Sequence, residues 1–370
     1  MLNSLFLQNF RSYPKQKFEF RGDTTVIIGP NTSGKTNLIE AIYILATGKS
    51  FRTDKDAQMI RFGEELARVK GLINPSATLG QATELEAIIT NGQINGRTSQ
   101  FKKFLVNGVA KRRVDFAENF SAVLFSPEDL DIIVDSPSLR RKFLDGVLEQ
   151  VDREYRLALI SYTKALRQRN ALLEKNKLGY LPAGRQGNEK QFEYWDNLVI
   201  ESGTIITAKR EEFIEFVNNE TKNVFDFAAF YDKSIISKQR LLQYKDEEAA
   251  SGVTLVGPHR DDFSISMFSP SAGLGQAEMH NVKYFGSRGQ QRLVILQLKM
   301  LELLYIEKKL GKRPVLLLDD IFSELDEGHI ELILGMIGLQ QTIITTTHKE
   351  FIPAKLLKKM QLIRFTKEEK

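Results

Sequence analysis

Cysteine is absent from the 370 residues of this chain, and the sequence has only one tryptophan and four histidines. The absence of cysteine excludes disulfides, thiolate zinc sites and cysteine nucleophiles, so nothing favours an oxidising compartment. No run approaches the roughly 20 apolar residues of a membrane-spanning helix. Residues 1–11 lack the basic leader and apolar stretch of a signal peptide. We therefore expect a soluble, cytoplasmic protein that does not associate with a membrane.

Charge and length restrict the function less strongly. The 52 lysines and arginines exceed the 47 aspartates and glutamates, which gives a formal net charge of +5. This balance is compatible with nucleic acid or another anionic partner, but many metabolic enzymes share it. A chain of this length holds one large α/β domain with a second lobe, or two domains.

The most specific motif lies near the N-terminus, where residues 29–36 read GPNTSGKT and fit the phosphate-binding pattern G-x-x-x-x-G-K-[ST]. An apolar run at 25–28 precedes it and a helical segment at 37–47 follows, which is the strand–loop–helix context that the motif requires. Glycines let the backbone approach phosphates, and the intervening N–H groups form an anion nest. The predicted nucleotide ligands are Gly29, Pro30, Asn31, Thr32, Ser33, Gly34, Lys35, Thr36 and Asn37.

Two carboxylates complete the predicted site. Residues 314–318 form an apolar run that ends in Asp319 and Asp320, so both carboxylates lie at a strand tip. In this arrangement Lys35 bridges the β- and γ-phosphates, while the Thr36 hydroxyl and Asp319 hold Mg²⁺. Asp320 is placed to orient or deprotonate the attacking water. The alternative is a pair of solvated carboxylates that cap a strand.

A second anion-binding element is predicted at residues 286–292, which read GSRGQQR and precede an apolar-periodic helix. The hydroxyl of Ser287, the backbone at Gly289 and the amide of Gln290 would surround the helix N-terminus, although many helices begin in this way. Further on, residues 342–348 form a strand that ends in His348. The position resembles the one where ATP-binding-cassette ATPases have a histidine that faces the γ-phosphate. The alternative is a structural role for His348.

The residues outside these motifs show patterns that predict helices, strands and loops. Apolar residues at helical spacing continue from Leu139 through Tyr155 to Leu173, and a turn-rich segment at 179–188 separates them from a second helical run. This pattern predicts two long antiparallel helices, either a helical subdomain or a projecting arm. Residues 251–262 read as a strand interrupted by GPHRDD, and 270–276 as a surface loop. The last hundred residues alternate between strand and helix, as a parallel sheet requires.

Together these segments resemble the RecF family of bacterial recombination and replication-repair ATPases, which are related to the structural-maintenance-of-chromosomes (SMC) proteins. The likeness covers nearly the whole chain in the same order. It rests on LQNFRSY at 7–13, GKTNLIEAIY at 34–43, ATGKSFRT at 46–53, LFSPEDL at 124–130, KALRQRNALL at 164–173 and TLVGPHRDD at 254–262.

The resemblance implies an α/β P-loop ATPase head of the ATP-binding-cassette type with an inserted helical lobe or short antiparallel arm. Lobe I would contain residues 1–130 completed by 310–370, and lobe II residues 131–309. The loop at Ser287 would cover the γ-phosphate of a partner subunit in an ATP-dependent head-to-head homodimer. Asp326 would lie in the loop between the two subunits, and Arg11 near the nucleotide.

The resemblance further implies binding to duplex or gapped DNA, and partners similar to RecR and RecO that help to load the RecA recombinase. Two departures from the family pattern are Thr32, where glycine is usual, and Arg288, which replaces a glutamine. Other functions with the same P-loop are the ATPase subunit of a membrane transporter and a small-molecule kinase. The candidate DNA contacts are three basic clusters at 102–103, 111–113 and 140–142, which are equally typical of solvated surface.

Overall fold

The computed structural model describes residues 1–74, 81–178, 186–269, 278–324, 327–352 and 357–365. Contacts between Cα atoms divide the chain into two units. Unit 1 contains Met1–Asp129 and Glu302–Lys370, and unit 2 contains Leu130–Leu301. Unit 2 is therefore an insertion between two parts of unit 1. Unit 2 ends at Leu301, within the long helix Arg288–Leu310, whereas the sequence places the end of lobe II at residue 309.

The first third of the chain forms an antiparallel sheet in unit 1, with the strand order β2-β1-β4-β5-β8-β9. Its strands are β1 (Leu2–Phe10), β2 (Tyr13–Glu19), β4 (Leu66–Ile73), β5 (Thr83–Thr90), β8 (Lys102–Val106) and β9 (Val109–Lys111), and a separate two-stranded ribbon contains β6 (Gln93–Ile94) and β7 (Arg97–Thr98). Asn95-Gly96 and Asn107-Gly108 connect two of the hairpins with positive φ at both residues. These are the turns that Asn-Gly favours, so this prediction is confirmed.

The second sheet of unit 1 is parallel and has the order β10-β14-β15-β3-β16. Its strands are β3 (Thr24–Ile28), β10 (Ala122–Phe125), β14 (Val315–Asp319), β15 (Thr342–Thr346) and β16 (Gln361–Arg364), and two short helices of unit 1 are α2 (Arg113–Phe116) and α11 (Glu327–Met336). Strands β3 and β10 come from before the insertion, and each pairs with a strand from after it. The predicted parallel sheet, assembled from both ends of the chain, is confirmed.

Helix α1 (Lys35–Thr47) packs against strands of both sheets in unit 1, and most of its residues are buried. A helix that is apolar on nearly all sides belongs in a core of this kind. Gly71 of β4 shows how closely the two elements approach, because a Cβ there would lie 2.4 Å from Leu45 Cδ1. The same core includes apolar side chains from β1, β5, β14 and β15.

Unit 2 is mainly helical, with a small antiparallel sheet in the order β11-β12-β13. The long helices α5 and α6 pack against each other. The elements are α3 (Asp131–Val134), α4 (Pro137–Val151), α5 (Arg153–Lys177), α6 (Gln186–Asn219), β11 (Ala228–Asp232), α7 (Lys238–Gln243), α8 (Lys245–Ser251), β12 (Asp262–Ser269), β13 (Glu278–Asn281), α9 (Val282–Phe285) and α10 (Arg288–Leu310). In the residues that the structure describes, no helix has the length and apolar character needed to span a membrane.

Three predictions about unit 2 differ from the structure. The expected continuous first helix is broken, because Asp152 is extended and its side chain accepts a hydrogen bond from the N–H of Tyr155 at 2.9 Å, which caps α5. Of the residues 251–262 that were expected to form a strand, only Asp262 lies in one. Gly257 has φ 124° and Pro258 begins a short 3₁₀ turn, so the chain is not extended there. The predicted break at 179–188 extends too far, since α6 begins at Gln186. The predicted loop at 270–276 lies outside the described residues.

A buried ionic network explains the course of the chain at 257–262. The Arg210 guanidinium on α6 donates to Asp145 on α4 at 2.8 Å, to Asp261 at 3.1 Å and to the carbonyl of Pro258 at 2.7 Å. Next to it, Arg140 binds Asp262 with two hydrogen bonds of 2.6 and 3.0 Å. Charged side chains therefore hold this turn against two helices, which a search for periodicity does not detect.

Candidate nucleotide-binding site

The predicted phosphate loop connects β3 to α1 and is anchored at both ends. The Gly29 N–H donates to the carbonyl of Thr346 at 3.3 Å, and the Tyr13 hydroxyl donates to the carbonyl of Gly34 at 2.9 Å. Gly34 has φ 104°, and a Cβ there would lie 2.9 Å from the Tyr13 oxygen. Glycine is therefore required at this position by both its conformation and its close contact.

Thr32 lies in the exposed part of the same loop with φ 68°. A β-branched residue is rarely found in the left-handed region, and strain of this kind costs about 1–3 kcal/mol. Pro30 and Asn31 beside it are also exposed. The loop thus holds Thr32 in a backbone region that glycine adopts more readily.

Lys35 is buried at the start of α1 and its ammonium lies across the loop. Its Nζ donates to the carbonyl of Gly29 at 2.7 Å and to that of Pro30 at 3.1 Å. Burial lowers the pKa of Lys35, while Asp320 and Asp319 act in the opposite direction. A phosphate would give this cation an anionic partner in place of neutral carbonyl oxygens.

The hydroxyl of Thr36 meets the carboxylate of Asp319, the last residue of β14. Thr36 Oγ1 donates to Asp319 Oδ1 at 3.2 Å, although the two residues are 283 positions apart. The Thr345 hydroxyl donates to the same oxygen at 2.6 Å. Burial raises the pKa of Asp319, and these two hydroxyls oppose that effect. A hydroxyl and a carboxylate in contact are suitable oxygen ligands for Mg²⁺.

These residues fit a nucleotide that carries its own Mg²⁺. The Ser33 hydroxyl is buried in the phosphate loop and has no hydrogen-bond partner among the described residues, so a donor stands ready beside the loop N–H groups. Over the same part of the chain, no group of three or more His, Cys, Asp or Glu could hold a metal ion. Mg²⁺ is usually held by one or two carboxylates together with substrate phosphates, and this site offers that combination.

Asp320 and His348 lie at the carboxyl ends of neighbouring parallel strands. Asp320 follows β14 with φ 52°, and its N–H donates to both the carbonyl and the hydroxyl of Thr345 at 3.1 Å. His348 is exposed two residues beyond β15, where its N–H donates to Thr346 Oγ1 at 3.3 Å. Because β3 ends at the same edge of the sheet, the phosphate loop and both residues belong to one edge.

Arg11 and Asn37 lie beside the phosphate loop, in a cluster around Glu40 of α1, which is fully buried. The Arg11 guanidinium donates to Glu40 at 2.6 and 2.9 Å and to the carbonyl of Gln58 at 2.7 Å, so every nitrogen has a protein partner. The Asn37 side chain accepts from Arg52 at 2.9 Å and donates to Ser12 at 3.0 Å. Both residues therefore link the turn between β1 and β2 to α1.

The second predicted anion site begins α10 in unit 2. The Ser287 hydroxyl accepts from the N–H of Gln290 at 3.3 Å, and the Gln290 side chain accepts from the N–H of Ser287 at 2.8 Å. This reciprocal pair is a capping box. A Cβ on Gly289 would approach only Ser287 Oγ, at 3.9 Å. The helix thus starts at Arg288, earlier than predicted, and Ser287 and Gln290 cap it.

Asp326 lies outside the described residues. Within the basic clusters, Arg113 and Arg141 are half-buried and donate to the carbonyls of Thr47 at 3.3 Å and Asp261 at 2.7 Å. Arg140 is buried and bound to Asp262, and Lys102 donates to the carbonyl of Gly48 at 3.2 Å and pairs with Asp56. Their contacts assign these two residues to the fold. The exposed members of the clusters are Lys103, Lys111, Arg112 and Lys142.

Tyr13, Glu40 and Thr345 contact the site but belong to none of the predicted motifs. Tyr13 and Glu40 stand in segments that were noted for their family resemblance, where an aromatic hydroxyl and a carboxylate beside a phosphate loop were available signals. Thr345 begins a run of three threonines that follows Ile343 and Ile344 in the same strand. A hydroxyl in a buried strand needs a partner, and this was the signal that could have identified it.

Comparisons with known proteins identify the family to which the chain belongs. The family model described as RecF/RecN/SMC N terminal domain matches residues 1–370. The DNA replication and repair protein RecF of Moorella thermoacetica is 34% identical, with 98% of this chain and 94% of that protein covered. The corresponding protein of an Exiguobacterium species is 35% identical, with 94% and 92% covered.

A solved structure described as the recombination mediator protein RecF-ATPrS in the RecFOR pathway superposes with a TM-score of 0.81 at 32% identity. It covers 95% of this chain and 94% of that one. The full-length family match, the identities above 30% and the shared fold lead to the same conclusion. The chain belongs to the RecF family of DNA replication and repair proteins, within the wider group of RecF, RecN and SMC proteins.

Proposed function

We propose that the chain is a DNA-binding ATPase of recombinational repair and replication-fork maintenance. The observation that carries this proposal is the contact between Thr36 and Asp319, which joins the phosphate loop to a strand tip 283 residues away. Two solved relatives, at 32% identity, are described as RecF with ATPrS and with ATP. Family membership favours DNA repair over the alternatives of a transporter ATPase subunit or a small-molecule kinase.

The chemistry follows from the positions of the side chains. The loop from Gly29 to Gly34 and the Lys35 ammonium would bind the phosphates, and Thr36 and Asp319 would hold Mg²⁺. The metal supplies charge neutralisation on the phosphate oxygens. Asp320 would accept a proton from the attacking water and His348 would face the γ-phosphate.

Dimerisation is the second part of the proposal. The capping box at Ser287 lies at the N-terminus of α10, a helix of 23 residues. Gly289 has no side chain and leaves open space beside this N-terminus. We infer that this surface, with Gln290 and Asp326, meets the ATP of a second copy, since helix N-termini bind phosphate. Unit 1 would then be ATPase lobe I and unit 2 lobe II.

DNA and protein partners form the third part. A duplex or gapped DNA would contact exposed basic residues, for which Lys103, Lys111, Arg112 and Lys142 are the candidates. The RecFOR pathway printed for the solved relatives supports partners similar to RecR and RecO, which would help to load the recombinase. Hydrolysis would release the dimer from DNA.

The test is steady-state ATP hydrolysis against protein concentration, with and without gapped duplex DNA. We expect a rate per molecule that rises with concentration and rises again with DNA. DNA affinity measured with ATP should fall steeply as salt increases, because phosphate contacts release counterions. A rate per molecule that changes with neither protein concentration nor DNA would contradict the shared-site dimer. A DNA affinity that changes with neither ATP nor salt would contradict ATP-dependent DNA binding through phosphate contacts.

A further inference from the structure

Thr345 is a fully buried residue of β15 that the strand register places against the catalytic edge. In the parallel pairing of β14 with β15, its Cα partner is Asp319. On the other side of β15 its partner is Ile27 of β3, two residues before the phosphate loop. Backbone pairing alone therefore fixes Thr345 between the loop strand and the carboxylate strand.

One hydroxyl of Thr345 serves both carboxylate residues. It donates to Asp319 Oδ1 at 2.6 Å, which is shorter than the 3.2 Å contact of the Thr36 hydroxyl with the same oxygen. Its oxygen also accepts from the N–H of Asp320 at 3.1 Å. Asp320 has φ 52°, a conformation that an L-residue keeps only where its surroundings hold it.

Packing does not explain a threonine at this position. Strands buried on both faces are typically rich in valine and isoleucine, and β15 itself has Ile343 and Ile344. A buried hydroxyl is favourable only where it is hydrogen-bonded. Valine has nearly the shape of threonine, so the oxygen is what distinguishes Thr345 from an ordinary core residue.

We propose that Thr345 is a positioning residue that orients Asp319 toward the metal and holds Asp320 in its left-handed conformation. The inference rests on the proposed ATPase function, and it adds a residue that acts through the two carboxylates. The donated hydrogen bond limits rotation of the Asp319 carboxylate. The accepted one acts together with the bond from the same N–H to the carbonyl of Thr345. The two bonds fix the direction in which the chain leaves β14, and with it the position of the Asp320 side chain.

The experiment compares Thr345→Val with Thr345→Ser, and uses Thr342→Val as the matched control. Thr342 is equally buried on the same strand, but its hydroxyl donates to the carbonyl of Gln340 at 3.1 Å. Calorimetry measures ATP affinity with and without Mg²⁺, and kinetics measure kcat and KM. Thr345→Ala and Thr345→Ser form a second pair that differs by one oxygen, for use if the valine variant fails to fold.

Thr345→Val should bind ATP without Mg²⁺ as the wild type does. The gain in affinity that Mg²⁺ provides, and kcat, should each fall by about 10–100-fold, as is usual when a residue that orients a metal ligand is lost. Thr345→Ser should restore both, and Thr342→Val should leave both unchanged. Thr345→Val values equal to those of Thr342→Val would overturn the proposal.

The same data separate this inference from the proposed function. A wild-type protein that hydrolyses no ATP under any condition would refute the ATPase proposal. The Mg²⁺-dependent gain in ATP affinity would still test the role of Thr345 toward Asp319. An intact gain in Thr345→Val, together with a normal kcat in an active enzyme, would reject the positioning role alone.

Discussion

Replacement of Arg210 with methionine keeps an unbranched side chain on α6 and removes its charge. Arg210 is 2% exposed and Asp261, which it binds at 3.1 Å, is fully buried. Removal of one partner of a buried ion pair costs about 3–5 kcal/mol, because the other charge stays buried. The Tyr231 hydroxyl and the N–H of Ser234 still donate to Asp261, so we expect about 3 kcal/mol, the lower end of this range.

Urea denaturation followed by tryptophan fluorescence measures this loss. Trp195 is the one tryptophan of the chain and lies on α6 with Arg210, so its signal reports on unit 2. With a slope of about 2 kcal/mol per molar urea, a loss of about 3 kcal/mol lowers the midpoint by about 1.5 M. The slope itself should not change, since the same surface is exposed on unfolding.

The neighbouring Lys209 provides the control. Its Nζ binds Asp152 at 2.8 Å, but the two side chains are 28% and 22% exposed. Solvent reaches such a pair, so Lys209→Met should cost about 0–1 kcal/mol and shift the midpoint by at most about 0.5 M. Equal shifts for the two variants would refute the claim that burial of the Arg210 network, rather than its charge pairing, determines its contribution to stability.

Three further predictions concern the site and the pH dependence of unit 2. Asp320→Asn should bind ATP but hydrolyse it about 10²–10³-fold more slowly and accumulate as a dimer in light scattering; a monomer at saturating ATP would count against the shared site. Ser287→Arg should prevent ATP-dependent dimerisation and keep ATP binding by the monomer; loss of binding itself would contradict a role toward a second copy. Burial lowers the pKa of His259 to about 4, so the unfolded chain binds a proton between about pH 6.5 and 4 that the folded chain does not. Stability on the order of 3 kcal/mol is therefore lost as the pH falls through this window. His259→Gln should flatten that dependence in urea denaturation at pH 7 and 5, and an unchanged slope would show that other groups cause it.

Local chemistry made much of the fold predictable. Asn107-Gly108 predicts a tight hairpin turn, and the phosphate-loop motif predicts a strand before it and a helix after it. The break at Asp152 was missed because the apolar spacing continues through it, although an aspartate is a preferred helix cap. The turn at 257–262 was missed because its conformation depends on Arg210, which is 48 residues before Pro258 in the sequence.

Residues of the candidate site could be predicted where they belong to a known motif. Residues whose role depends on the pairing of strands could not be predicted. Lys35, Thr36 and Asp319 follow from patterns with known chemistry, and the structure brings all three to one edge of the sheet. Arg11 was expected near the nucleotide, and its guanidinium donates hydrogen bonds to Glu40 and to the carbonyl of Gln58. Thr345 has no motif of its own, because its partner Asp319 is known only once β14 and β15 are aligned.

The division of the site between distant segments has a thermodynamic consequence. The phosphate loop follows β3, before the insertion, whereas Asp319 and Thr345 belong to β14 and β15, after it. A ligand that contacts both Thr36 and Asp319 binds only when these strands are paired, and it therefore stabilises their pairing by mass action. In the proposed site, neither segment alone would hold both the phosphates and the metal. Nucleotide binding thus reports on whether the two ends of the chain have joined into one sheet, whatever the length of the insertion between them.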